Sequence, residues 1–68
     1  MGLIMRSVPG ARFYCDPETR DMYEENAEGV FALRWIDGER ARVPVEAIPG
    51  SAQMLYCDMQ RAWEFVRP

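Results

Sequence analysis

The sequence predicts a small α+β domain, in which an antiparallel sheet of about three to five short strands precedes a C-terminal helix. First, Asp37-Gly38 separates two runs rich in β-branched and aromatic residues, which is the strongest short-range signal of a β-hairpin. Second, proline and glycine divide most of the chain into short segments. Third, apolar residues recur at helical spacing after Ser51. An all-β small barrel is the alternative.

The length allows one compact domain, residues 1–68, because 68 residues are too few for two hydrophobic cores. The chain is 49% hydrophobic and 28% charged, which is typical of a globular protein and excludes a disordered tail. The longest apolar runs fall well short of the roughly 18 residues of a membrane span. No secretory leader is evident, so we expect a cytoplasmic protein.

The first third of the chain contains two predicted strands and one ambiguous segment. Residues 3–6 form an apolar run that ends at Pro9-Gly10, and residues 12–15 are aromatic and β-favouring. Residues 16–29 permit a helix capped by Asp16, but acidic residues would crowd its negative C-terminal end. The alternative, slightly favoured, makes residues 17–20 a hairpin loop that joins 13–15 to 21–24.

The middle of the chain predicts a second hairpin, with strands at residues 30–36 and 40–45. Its Asp37-Gly38 turn is of type I′, which requires positive φ at both central residues. In the return strand apolar side chains alternate with arginine or proline: Ala41, Val43 and Val45 against Arg40, Arg42 and Pro44. One face of this strand is therefore expected to be apolar and the other solvated, with Pro44 at an edge or bulge.

The C-terminal segment predicts a helix with Ser51 as a plausible N-cap. Its apolar stripe consists of Leu55, Met59, Ala62, Trp63 and Val66. The competing interpretation is a hairpin made of residues 54–57 and 62–66, since several residues there favour strands.

Two cysteines and no histidine limit the chemistry. Structural zinc takes four Cys or His ligands, so a site would also need Asp16 and Asp58, and we expect no metal or cofactor. We expect Cys15 and Cys57 to be reduced and to pack as small hydrophobic residues. The contexts Phe13-Tyr14-Cys15-Asp16 and Leu55-Tyr56-Cys57-Asp58 repeat, which either places two strands side by side or is fortuitous.

Catalysis is not expected. Paired carboxylates act as acid and base only in a concave, water-poor site, which a chain of this size seldom forms. A nucleophilic thiol needs a neighbouring base, and histidine is absent. The five glycines are scattered at turns and form no phosphate-binding loop. The sequence therefore predicts a binding protein, not an enzyme.

Acidic residues cluster in one stretch of the chain. The net charge is −3 with a pI near 4.8, and residues 16–28 hold six acids against one arginine. This balance disfavours a sequence-independent grip on nucleic-acid phosphates. The stretch is either a solvated face or a patch that meets a basic partner. The candidate partner-binding residues are Asp21, Met22, Tyr23, Glu24, Glu25 and Glu28. Met22 and Tyr23 are candidate anchors if the stretch is exposed, and core residues otherwise.

These features favour a small acidic module that binds a larger protein with a basic surface, such as a nucleic-acid-handling complex. In size and acidity the chain is similar to the small inhibitors that phages and mobile elements deploy against host defence or transcription, including anti-CRISPR proteins. That resemblance implies inhibition by occupying the basic surface.

Two other classes stay open. The first is a structural protein that self-associates, for example as a homodimer, through a strand edge or the Trp63 face of the last helix. The second is a single-stranded nucleic-acid binder, which combines basic and aromatic side chains. Its candidate residues are Arg34, Trp35, Arg40 and Arg42.

Overall fold

A computed structural model describes residues 7–66, and within this range the chain forms one antiparallel sheet and one helix. The elements in chain order are β1 (Arg12–Cys15), β2 (Met22–Asn26), β3 (Gly29–Ile36), β4 (Glu39–Pro44), β5 (Gln53–Leu55) and α1 (Met59–Phe65). The strand order across the sheet is β4-β3-β2-β1-β5. The predicted α+β class is confirmed, and the strand predicted at residues 3–6 lies outside the described residues. No described helix has the length and hydrophobicity to cross a membrane.

Both predicted hairpins are present. In the first, residues 17–20 form the loop, and Cys15 pairs with Met22 where the strands begin to run together. Arg20 adopts a φ of 65° there, and its amide donates to the Asp16 carbonyl at 2.7 Å. In the second, Asp37 and Gly38 have φ values of 52° and 76°, as a type I′ turn requires. The helix considered for residues 16–29 does not form.

The strand register divides the sheet into two faces. Side chains directly opposite one another on paired strands share a face, and the next residue along points to the other face. The helix α1 covers one face, here the helix face, on which a buried apolar cluster forms: Phe13, Cys15, Met22, Leu33, Ala62 and Trp63. The rings of Trp35 and Trp63 meet edge to face with centroids 5.6 Å apart. The Trp35 indole also donates to the Val66 carbonyl at 2.6 Å, which ties the end of α1 to β3.

The predicted polarity of β4 is confirmed only in part: Arg40 and Pro44 are exposed and Ala41 and Val43 are partly buried, but the arginines do not lie on a separate solvated face. Arg42 pairs with Leu33 and Arg40 with Trp35, so both arginines lie on the helix face with the core. They are accommodated there because Arg42 forms an ion pair with Glu24, and because the Arg40 guanidinium lies 5.5 Å from the centroid of Trp35. The other β4 side chains lie on the opposite face of the sheet, which is also largely covered. The alternation of side chains therefore does not show which face is exposed to solvent.

The C-terminal helix is shorter than predicted. It begins at Met59, after Asp58, whose side chain caps it by accepting a hydrogen bond from the Arg61 amide at 2.8 Å. Ser51 is not the N-cap, because the segment before the helix extends along the open edge of β1 and pairs with it as β5. Of the two repeated cysteine contexts, the first lies largely in β1, whereas only Leu55 of the second lies in β5, opposite Phe13, and Cys57 follows that strand.

Candidate protein-binding surface

The six acidic-stretch residues proposed for partner binding separate into a buried and an accessible group. Met22, Tyr23 and Glu24 retain only 1%, 7% and 0% of their surface. They do not form part of an exposed surface while the sheet is intact, so the condition under which Met22 and Tyr23 were candidate anchors is not met. Asp21 and Glu25 are half-buried, and Glu28 is exposed.

Glu24 is part of the core. It lies between Phe13 and Phe31 in the register, and its carboxylate accepts hydrogen bonds from Arg42 Nε at 2.9 Å and Asn26 Nδ2 at 2.7 Å. A buried carboxylate is tolerated only when it is paired in this way. The sequence contains one indication that Glu24 is buried. Glu24 is two residues after Met22, and this spacing places both side chains on the same face of a strand.

The accessible acids differ in how far their charge is already neutralised. Asp21 Oδ1 lies 3.1 Å from Arg34 Nη1. Glu25 Oε1 accepts a hydrogen bond from the Tyr14 hydroxyl at 3.4 Å, and it lies 3.7 Å from the largely exposed guanidinium of Arg12. Glu28 makes no ion pair with any described residue. Glu25 and Glu28 are therefore the most available of the predicted carboxylates.

A groove lies on the face of the sheet opposite α1. Residues 45–52 join β4 and β5 at opposite edges of the sheet, and they cross this face, since most of them line one groove with Tyr14, Glu25 and Val30. The Val45 amide donates to the Val30 carbonyl at 3.0 Å at one end, and the Ser51 hydroxyl donates to Asp16 Oδ2 at 2.8 Å at the other. Between these anchors is a cavity of about 430 Å³, here called the loop-face groove.

The loop-face groove combines apolar walls with two carboxylates. Tyr14, Val30 and Ile48 line it together with Glu25 and Glu46, and no arginine is among its lining residues. Glu46 lies two residues after the end of β4 and is exposed. The sequence did not identify Glu46, because the path of residues 45–52 depends on the strand order and not on any local pattern.

Asp16 accepts the hydrogen bond from Ser51 that anchors the second end of residues 45–52, and its side chain is held in the charged, carboxylate form. The Ser51 hydroxyl and then the Glu18 amide donate to its carboxylate, and these hydrogen bonds lower the pKa of Asp16 below its ordinary value. The same carboxylate also accepts from the Thr19 amide at 3.4 Å, so it organises the β1–β2 loop. One side chain thus links that loop to residues 45–52.

A second exposed feature is the outer edge of β5. Met54, Leu55 and Tyr56 expose 43%, 37% and 92% of their surface. The opposite edge strand, β4, contains Arg40 and Pro44, which discourage pairing with another chain, whereas β5 contains neither a charge nor a proline. The sequence missed this edge because residues 53–55 were included in the predicted helix.

The residues considered for single-stranded nucleic-acid binding do not form one platform. Arg34 pairs with Ala41 and lies on the groove side of the sheet, whereas Trp35 lies on the helix face. Arg42 is engaged with Glu24. Arg40 lies over the rings of both Trp35 and Trp63, at 5.5 and 5.4 Å from their centroids.

The two thiols and the possible metal ligands of residues 7–66 were the remaining candidates for chemistry in the sequence. Burial raises the pKa of Cys15 and of Cys57, so both thiols are protonated at neutral pH. No group of three or more potential metal ligands comes together among the described residues. No protein-family model, curated protein or solved structure matches the chain. The loop-face groove and the β5 edge are two surface features of the described residues that can contact another molecule.

Proposed function

We propose that this protein is a small, acidic, cytoplasmic binding module that inhibits a larger nucleic-acid-handling protein by occupying a basic surface on it. The observation that carries the proposal is the position of three carboxylates, here called the acidic end: Glu25, Glu28 and Glu46. Glu25 lies beside the β2–β3 turn, Glu28 lies in that turn, and Glu46 follows Val45, which bonds to β3 at Val30. All three thus lie at one end of the sheet.

The acidic end has little internal compensation. Its nearest ion-pair partner is Arg12, whose side chain is 67% exposed and 3.7 Å from Glu25. An ion pair that is so exposed contributes at most about 1 kcal/mol, so a partner's cation can replace Arg12 at little cost. Clustered carboxylates accelerate association with a basic surface and compete there with nucleic-acid phosphates.

The proposal is tested by affinity capture of the tagged protein from a nuclease-treated lysate. We expect one nucleic-acid-handling protein to be retained in stoichiometric amount. Its affinity for nucleic acid should then fall as purified module is added. Recovery of the module alone, or a retained protein that binds nucleic acid equally well in its presence, contradicts the proposal.

A second candidate function, self-association, is favoured by the exposed β5 edge. No strand within residues 7–66 pairs with the outer edge of β5, and this edge, flanked by Met54, Leu55 and Tyr56, can pair with the same edge of a second copy. Met54→Lys should then abolish a dimer seen by sedimentation equilibrium, whereas Ile36→Lys, an equally exposed apolar position away from β5, should not. A wild-type monomer at all concentrations rejects this function.

A further inference from the structure

The loop-face groove has the shape and chemistry of a site for one long cationic side chain. Val30 and Ile48 supply apolar contacts for an aliphatic stem, and Glu25 and Glu46 supply negative charge for its head group. No cation is among the residues that line it. The charge complementarity therefore selects a basic occupant, not an apolar or an acidic one.

We propose that the loop-face groove binds an arginine side chain of the partner protein, an inference that rests on the proposed function. Tyr14 distinguishes arginine from lysine. Its hydroxyl donates to Glu25 at 3.4 Å, so an aromatic ring and a carboxylate are adjacent in the groove. A planar guanidinium can stack on such a ring while its N–H groups reach the carboxylate, which a lysine ammonium does less well.

Arginine side chains already lie over aromatic rings within this fold. The Arg20 guanidinium lies 4.7 Å from the centroid of Phe65, and that of Arg40 lies 5.4 Å from the centroid of Trp63. Tyr14 lines the groove, and its ring has no such intramolecular arginine partner among the described residues. A partner's arginine would supply the equivalent contact.

The segment that walls the groove is tied to the rest of the fold near both of its ends. Residues 45–52 are fixed by the hydrogen bonds of Val45 and Ser51, and a turn within the segment is closed by the Ala52 amide, which donates to the Pro49 carbonyl at 3.0 Å. Little loop ordering is therefore required on binding, which conserves affinity. Arg12 is the charge that competes for Glu25, and its pairing is long and exposed.

The inference is tested by titrating the ¹⁵N-labelled protein with the peptide acetyl-Ala-Arg-Ala-amide. We expect saturable amide shifts at Tyr14, Glu25, Val30 and residues 46–48. Glu25→Gln and Glu46→Gln should each raise the dissociation constant roughly two- to fivefold, the effect of one exposed ion pair. The matched control Glu18→Gln, an exposed acid elsewhere, should leave it unchanged.

Two control peptides decide the chemistry. Citrulline in place of arginine keeps the shape and removes the charge, and it should produce no saturable shifts. Equal binding of the citrulline peptide overturns the electrostatic basis of the site, and equal binding of a lysine peptide overturns the assignment to arginine. Shifts confined to residues outside the groove overturn the site itself.

A further variant separates the arginine-site hypothesis from the proposed function. Ala47→Trp fills the groove without changing any charge, since Ala47 is an exposed residue that lines it. Loss of partner capture by Ala47→Trp, in a variant whose thermal unfolding is unchanged, supports the groove. If Ala47→Trp captures the partner normally while E25Q/E28Q/E46Q does not, the proposed function stands and the arginine site is rejected.

Discussion

Arg42 donates a hydrogen bond from Nε to the fully buried Oε1 of Glu24 at 2.9 Å, and this contact makes the centre of the acidic stretch a part of the core. Glu24 therefore cannot serve as a surface charge. Three other carboxylates, Glu25, Glu28 and Glu46, lie together at one end of the sheet, and Glu46 comes from a distant part of the chain. The proposed binding surface is thus formed by the fold, and not by a continuous acidic segment.

Glu24→Ala should destabilise the protein strongly, by about 3–5 kcal/mol, because it removes one member of a buried ion pair, the carboxylate that faces Arg42. Glu25→Ala, the neighbouring acid on the opposite face, should cost no more than about 1 kcal/mol. Urea denaturation of both variants measures the difference. Similar losses for the two substitutions would show that Glu24 has no special structural role.

Trp63→Ala should cost about 3–5 kcal/mol, since Trp63 is 2% exposed and packs against the apolar cluster on the helix face. Tyr56→Ala is the matched control, because Tyr56 is 92% exposed and its removal should change stability by no more than about 0.5 kcal/mol. Thermal unfolding followed by circular dichroism compares them. If Tyr56→Ala is also strongly destabilised, Tyr56 must pack against other residues, which contradicts its exposure in this fold.

Ser51→Ala should raise the pKa of Asp16 towards its ordinary value of 3.8, because the Ser51 hydroxyl is the principal cause of the lowered pKa. A lowered carboxyl pKa stabilises the fold above about pH 3.8, and this contribution is lost as the pH falls through the folded-state pKa. The stability deficit of Ser51→Ala should therefore be full near neutral pH and shrink in strong acid. Carboxyl titration by NMR measures the pKa of Asp16, and denaturation at neutral pH and in strong acid measures the stability deficit. A deficit independent of pH contradicts it.

Both cysteines should alkylate slowly with iodoacetamide at neutral pH, because burial raises their pKa above 9.0 and little thiolate is present. Cys57 is half-buried and Cys15 is buried, so Cys57 should react first. Mass spectrometry of the two peptides over time measures the rates, with urea-denatured protein as the control. Equal rates in the folded and denatured protein would contradict the burial of Cys15.

The hairpins were predictable because their signals are local. Asp37-Gly38 requires positive φ at two adjacent residues, and both adopt it. The first hairpin followed from acidic residues that a helix C-terminus disfavours. These features depend on a few neighbouring residues and on no distant contact.

The rest depends on contacts between distant parts of the chain. The open edge of β1 recruits residues 53–55 into a strand, and the apolar spacing after Ser51 carries no information about that edge. Arg42 resembles a solvated residue until its contact with Glu24, 18 residues earlier, is known. The groove likewise exists only because β4 and β5 are at opposite edges of the sheet.

The measurement that tests the central claim most directly is the affinity of two charge variants for the captured partner. E25Q/E28Q/E46Q neutralises the acidic end, and E18Q/E39Q/E64Q neutralises three acids outside the acidic end with the same change in net charge. We expect the first variant alone to lose roughly tenfold or more in affinity at low salt, with the difference shrinking at high salt. Equal affinities for the two variants would contradict binding through the acidic end.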